Sequence, residues 1–557
     1  MPELLFINKT QSSDVLTRSK ADEKSRILSH VQNRRRRDEA RRKRGTRVAQ
    51  PSFDKPEDLQ FQVQVVEVKR PKGPFSPTSN TKEDEQYQSL VRLALTYPTH
   101  NSSDPFYSTV AGRDVGSHAM LSLTFSKGAK MTFLSEAFAP PSVLLDTDNS
   151  NRFISMRHDG VIQARLHRCI EDDLLMYATL AYGSSCLAWM FGILDTSRPP
   201  EYFIGKAISR VRHRIANPSP PDIPGGGCER SEEDKQWFAL SIYSLAITEN
   251  WNHMPPVWAR CPSRQALALR KDNPSRAASR MHLQALVRFI NDNGSWGAFD
   301  PYVIESAILA DKYLSLWETE SPIIPLTWDP GPLSRAVRDV LGIDEDEGTK
   351  SGVEMGNNLL HLPLCKHLKD IIADLADYTR IARAAWAQPE TVTSELQSWL
   401  FLRLQSFYFR LMLLDKDRLS PLDDCIRIIV LTFLLATTHY HGAVVCAANM
   451  VSKIRSALVR ASFWDENVFG SRGLRFWCLC MGAIAAGATL EREWFLDRIV
   501  EMAAAGGDSD GSGRHEWESR ESIDGYLFLW DSQGAELSAL IDKLPSDAAL
   551  YCMTSFL

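Results

Sequence analysis

Beyond about residue 85, apolar residues recur along most of the chain at helical spacing. In RMHLQALVRFIN, Leu283, Leu286, Val287 and Ile290 fall at i, i+3, i+4 and i+7, and in KHLKDIIADLADYTR the same spacing is met by Leu368, Ile371, Ile372 and Leu375. A helix turns once every 3.6 residues, so each set forms a single apolar stripe facing a core. In EYFIGKAISRVRHRIA, Ile204, Ile208, Val211 and Ile215 line one face while Lys206, Arg210 and Arg214 fall away from it, and the proline- and glycine-rich NPSPPDIPGGGC ends the element. Further helix-like segments run from Arg152 to Leu194, Asp234 to Thr248, Pro301 to Trp317, Glu395 to Leu414, Leu422 to Ser456, Leu474 to Ala504 and Gln533 to Leu544. GGDSDGSGRHEWESRES reads as a surface loop, and no repeat with recurring signature positions points to a solenoid. The pattern predicts an all-α fold.

The beginning of the chain follows other rules. From Asp14 to Arg44 there is no proline or glycine, and Ser19 with Asp22 suits a helix start. The apolar positions Val15, Leu16, Ile27, Leu28 and Val31 are too sparse to hold such a helix alone in water. From Gln50 to about Asn80 the sequence is proline-rich, with one alternating run from Phe61 to Val68 suited to an extended segment. These shifts divide the chain into a basic arm (1–50), a partly disordered linker (51–100) and a large helical domain (101–557). Leu174 to Leu194 and Ile428 to Ser452 reach membrane-spanning length without a formal charge. Gly183, Ser184 and Ser185 in the first, and His439, His441 and Asn449 in the second, are costly in lipid, so both are expected as buried helices with no membrane partner.

Composition sharpens this division. Hydrophobic residues at 44% and charged residues at 24% suit a globular protein. The net charge of −5 hides a segregation: residues 1–47 hold fourteen Lys/Arg and six Asp/Glu, a balance of +8 that leaves −13 for the remainder. The ten cysteines lie between Cys169 and Cys552, scattered singly apart from Cys478-x-Cys480, as expected of reduced intracellular thiols. The opening residues lack a basic stretch followed by a long apolar core, which argues against a secretory signal.

A search for chemistry turns up few candidates. PGGGCE lacks the Lys-Ser/Thr of a phosphate-cradling loop, and YGSSC lacks the glycine spacing of a nucleophile elbow. His361, Cys365 and His367 include zinc-type ligands without a second cluster to complete a tetrahedron. His439 and His441, two apart, point to different faces of a helix. The expectation is no enzyme, no metal and no cofactor.

The basic run is the strongest signal. Arg34, Arg35, Arg36, Arg37, Arg41, Arg42, Lys43, Arg44 and Arg47 place nine basic side chains in fourteen positions against Asp38 and Glu39, a net charge of +7. RRRR and RRKR separated by three residues match a nuclear import signal, and the same charge density attracts nucleic-acid phosphates whatever the base sequence. Three readings stay open: import alone, import with contact to the DNA backbone, or a solvated charged helix. A basic leucine zipper fails, because arginines follow Asn33 where small residues belong and Pro51 arrives where a leucine heptad would begin.

Several stretches then resemble a family. DPFYS at Asp104, YFIGKAISRVRHRIA at Tyr202, WFALSIYSLAITENW at Trp237, ASRMHLQALVRFINDNG at Ala278 and AILADKYLSLWETESPIIP at Ala307 resemble, in that order, the all-helical regulatory domain of fungal-specific transcription factors. His282, Gly294 and the segment Pro322 to Pro325 match its helix, turn and proline-rich stretch. The opening is similar to a subgroup with Phe6 and Asn8 ahead of Ser29, His30, Val31 and the arginines. Relatives with a binuclear zinc cluster hold six cysteines near the N-terminus, whereas this chain has none before Cys169, so zinc and its base-reading residues are not carried over. The resemblance implies a nuclear transcriptional regulator whose partners are DNA, met through its backbone, other transcription factors or a second copy of the chain. An adaptor that docks on another transcription factor without touching DNA is the alternative, and an enzyme with a helical pocket a third.

Overall fold

Helix-forming residues with apolar stripes become helices where they can bury the stripe, and the computed structural model follows that rule from residue 159 onward. It describes residues 120, 136–140, 142–143 and 159–542, with breaks at 192–193, 197, 217–231, 271, 319, 344–354, 439–440, 462–471, 488–489, 505–522 and 524. The basic run and the linker lie outside the described residues. Of the described residues 78% are helical and none is in a strand, so the fold is all-α.

The helices of twelve residues or more are α1 (Asp159–Glu171), α2 (Asp173–Phe191), α3 (Pro200–Ala216), α4 (Glu232–Asn252), α5 (Pro274–Asp292), α6 (Pro301–Glu318), α7 (Lys366–Ala387), α8 (Ser394–Leu413), α9 (Pro421–Thr437), α10 (His441–Arg460), α11 (Arg472–Ala486), α12 (Glu491–Ala504) and α13 (Trp530–Ile541). Starts carry the expected signals. Asn273 accepts from Ser275 N at 3.0 Å ahead of Pro274 in α5, Thr393 caps α8, and Ser420 with Asp423 forms a reciprocal capping box on α9.

Two groups of helices meet on one central helix. α4 packs against α2 and α5, with α1 and α3 on α2, while α7 to α13 form the second group, linked through α9, α10 and α11. Between them α6 touches α4 and α5 on one side and α8 and α10 on the other. Every residue from Tyr302 to Leu316 is buried, so α6 has no solvent face. A helix hydrophobic all round belongs inside a large core, yet α6 carries Glu305, Asp311 and Lys312, and these dictate much of what surrounds it.

Three segments that the sequence pattern runs together are each split in two. The stretch expected from Arg152 to Leu194 breaks at Asp172, whose carboxylate accepts from Leu174 N at 2.9 Å and Leu175 N at 3.2 Å, capping α2. The stretch from Leu422 to Ser456 breaks at Thr438, where the hydroxyls of Thr437 and Thr438 both donate to Leu434 O, at 2.8 and 3.0 Å, and so serve a carbonyl at the helix end. The stretch from Leu474 to Ala504 breaks at Gly487, whose φ of +56° ends α11 in the left-handed conformation. Among the described residues no helix is long and apolar enough to cross a membrane.

Packing of α11 on α12 depends on one glycine. A Cβ on Gly482 would sit 2.2 Å from the ring of the fully buried Phe495, whereas a Cβ on Gly205, on the exposed side of α3, would meet nothing within 4 Å. Gly482→Ala is therefore expected to lower stability by about 1–3 kcal/mol through overpacking. Gly205→Ala should raise it by roughly 0.5–1 kcal/mol, because alanine has less backbone freedom to lose. Urea unfolding of the two variants against wild type checks both signs.

Candidate functional site

None of the nine basic residues from Arg34 to Arg47 is described, so the structure brings none of them together with anything. The polar groups it does assemble lie in the helical body, at three places along or beside α6.

The first is a fully buried ion pair. Residues 136–140 insert a short turn into the core, and the Glu136 carboxylate accepts from Lys312 Nζ and from Tyr313 OH. Gln405 Nε2, from α8, donates to Glu136 O at 3.1 Å and to its carboxylate at 3.3 Å. The ammonium also lies 4.1 Å from the centre of the Tyr313 ring and 4.6 Å from that of Tyr408. Trp386 Nε1 donates to Ala137 O at 2.8 Å, and Phe138 packs edge-on against Tyr378 and Phe433. Phe138 has a φ of +55°, a left-handed conformation disfavoured for an aromatic residue, here held by those contacts. Burial pushes the Lys312 pKa down, and the neighbouring Glu136 carboxylate opposes that shift. Lys312 and Glu136 are both 0% exposed, so no reactant reaches the amine; the arrangement clamps the chain.

The second place is the junction of α4, α5 and the end of α6. His253 is buried, its Nδ1 3.1 Å from Glu249 O, and burial pushes its pKa down to about 4. Its Nε2 lies 3.9 Å from Glu318, which suggests an ion pair by distance alone. That spacing is too long for a hydrogen bond, and Glu318 is already engaged by Arg276 at 3.1 Å and Arg280 at 3.6 Å, so the neutral imidazole is the physically consistent state. On α6 itself, Asp311 accepts from Ile323 N and Ile324 N at 2.8 and 2.7 Å, while burial raises its pKa to about 6.

The third place is a crevice at the C-terminal end of α6, partly open to solvent, with a volume of about 10 Å³, the room of one water. Ser315 and Leu316 of α6, Met412 of α8, Ile428 and Leu431 of α9 and Met450 of α10 line it, with Glu320, Lys416 and Arg427. Arg427 pairs with Asp424, and Asp424 also takes Arg460 at 2.8 Å. Lys453 of α10 points its ammonium at Leu316 O, 3.5 Å away, and at the sulfur of Met450, 4.0 Å away; no carboxylate among the described residues comes within ion-pairing distance. Burial lowers the Lys453 pKa to about 8, with Lys416 and Arg427 adding to the shift.

The buried thiols among the described residues are held in their protonated form. Burial pushes Cys169 up to about 11 and Cys186, Cys425 and Cys446 up to about 12, so these thiols stay protonated near neutral pH. Cys365, which the sequence groups with His361 and His367, donates its backbone N–H to Asp423 at 2.7 Å at the start of α7. Among the described residues no three His, Cys, Asp or Glu side chains converge as a metal site would require. Sequence reasoning missed both Lys312 and Lys453. Lys312 left a trace, as a charge inside a segment apolar on every face; Glu136, 176 positions away, left none. No family model, no curated protein and no solved structure matches the chain.

Two outcomes follow. Lys312→Met leaves a buried carboxylate unpaired and should cost about 3–5 kcal/mol, whereas Lys312→Met combined with Glu136→Gln should cost clearly less than the two single changes added together. Additive losses in a urea double-mutant cycle would contradict a coupled pair. His253 supplies the pH dependence: the unfolded histidine takes a proton below about pH 6.5 and the native one near 4, so stability is lost as pH falls between them. Asp311 works in the opposite sense, gaining stability as pH falls from about 6 to 3.8, because the native carboxylate is protonated first. His253→Gln removes the first effect alone, and its stability relative to wild type should improve by up to about 3 kcal/mol from pH 7 to pH 4. Urea unfolding at fixed ionic strength measures that difference.

Proposed function

We propose that the protein is a nuclear transcriptional regulator, with the basic run as its import signal and DNA-backbone contact and the helical body as its regulatory part. The observation that carries this reading is the segregation of charge: +8 over residues 1–47 against −13 over the rest. An acidic body does not itself favour DNA, so a compact cationic segment is where phosphate would be met. The likeness of segments between Asp104 and Pro325 to the regulatory domain of fungal-specific transcription factors supports the same assignment. Contacts from Arg34 to Arg47 would be to phosphate, which positions a protein without reading bases. The absence of cysteine before Cys169 favours a second reading, an adaptor that reaches DNA through another transcription factor.

Full-length protein titrated with labelled duplex at several salt concentrations separates the two. Six to nine phosphate contacts give a slope of log affinity against log salt of about −5 to −8, and deletion of residues 29–47 should abolish both that binding and nuclear accumulation of a tagged chain. A flat salt dependence together with nuclear accumulation would favour the adaptor, whose pull-down of a partner survives nuclease. An unchanged distribution of the deletion variant would remove the import assignment.

A further inference from the structure

We propose that the solvent face of α3 is a second contact for duplex DNA, meeting its phosphate backbone through Lys206 and Arg212. The inference rests on the reading that the chain meets DNA, and adds a place on the helical body where it does so. From Tyr202 to Ala216 the sequence holds four Lys/Arg and no acid. Phe203, Ile204 and Ala207 are buried, while Tyr202, Lys206, Ser209, Arg210, Arg212 and His213 are exposed. Two of the cations in α3 are committed to the fold: Arg210 pairs with Asp173 at 2.8 Å, and Arg214 pairs with Asp172. Glu201, the acid at the start of α3, is engaged by Arg264. Lys206 and Arg212 form no ion pair with any described residue, and Lys206 Nζ lies 5.6 Å from the centre of the Tyr202 ring. The charge of −13 outside the arm is an average over the whole body, and charges farther off than a Debye length, about 8 Å at physiological salt, are largely screened. A phosphate at α3 meets the local set.

Two features select a nucleic-acid backbone over a protein. The exposed groups are donors, an ammonium, guanidinium groups and the hydroxyls of Tyr202 and Ser209, and these are the groups that hold phosphate and sugar oxygens. A protein partner needs aromatic or apolar anchors in well-packed pockets, and Tyr202 is the one large side chain of that kind exposed among the described residues of α3. The second feature is Gly205. A glycine inside a helix weakens it, and a Cβ there would meet nothing within 4 Å, so no packing among the described residues calls for the space. One turn from both Tyr202 and Ser209, it leaves the helix surface open to close approach. From Tyr202 to His213 the face runs about 17 Å along the axis, the length of about five base pairs.

The test titrates the full chain with labelled duplex at several salt concentrations, as wild type and as three variants. Two contacts alone are too few to hold duplex at physiological salt, which is why the arm is kept. Each cation that neutralises a phosphate adds about 0.9 to the steepness of log affinity against log salt, so Lys206→Gln combined with Arg212→Gln should lessen it by about 2 and weaken binding by roughly tenfold or more. Arg288→Gln combined with Arg455→Gln, the same change of charge at two exposed positions elsewhere, should leave the slope as it is. Gly205→Glu puts a carboxylate on the face and should weaken binding, although glutamate suits a helix better than glycine, so that loss is not a loss of fold. A double variant on α3 with the wild-type slope would overturn this contact and leave the arm's in place. An equal loss in the Arg288 and Arg455 variant would overturn it too, as an effect of total charge. A flat salt dependence of the wild type would remove DNA contact by arm and helix alike. Loss of a nuclease-resistant partner from the α3 double variant, at an unchanged duplex slope, would overturn it in favour of an acidic protein.

Discussion

A helix with no solvent face must satisfy its own charges internally, and α6 meets this requirement through Lys312. An unpaired ammonium at that depth would cost several kcal/mol, and the carboxylate that offsets it comes from Glu136, far away in the chain. The pair fixes more than itself. It ties the 136–140 turn to α6, brings Gln405 of α8 into the same network, and seats Phe138 against Tyr378 of α7 and Phe433 of α9. One buried charge thus specifies the neighbours of four helices, which non-directional apolar contact would leave less defined.

The same principle recurs where other helices join. Arg165 of α1 is 3% exposed and donates to Thr179 of α2 at 3.1 Å, Ser244 of α4 at 2.6 Å and Tyr302 of α6 at 3.3 Å. On the other side of α6, Arg403 of α8 reaches Asp329 and Asp374, each at 3.0 Å, while stacking over Phe407 at 4.9 Å. That holds the connection after α6 against α7 and α8. Each guanidinium offers several donors in a fixed plane, so it selects partners by direction as well as by charge.

Much of the fold was legible in the sequence, and the physical reason is local. The stripes of Leu283 to Ile290 and Leu368 to Leu375 are properties of one helix each, and Leu283, Leu286, Ile290, Leu368, Ile371, Ile372 and Leu375 are all buried. The breaks at Thr438 and Gly487 were less legible, since each lies inside an apolar run whose period continues across it. In hindsight Asp172 ahead of a long apolar helix has the chemistry of a cap. The pairings of the interior polar groups were not legible, even where Lys312 stood out as a charge in an apolar segment: Glu136 with Lys312, or Arg427 with Asp424 and Arg460, are brought together by how the chain packs. The basic run was the reverse case, obvious as charge in the sequence and outside the described residues of the structure.

The C-terminal end of α6 is closed by the same kind of compensation. The last carbonyls of a helix lack intrahelical partners and carry a partial negative charge. Leu316 O takes Lys453 and Trp317 O takes Asn449 Nδ2 at 3.0 Å, so α10 supplies the donors that end α6. A helix terminus is worth about half an elementary charge, so one lysine and one amide donor suffice to answer it.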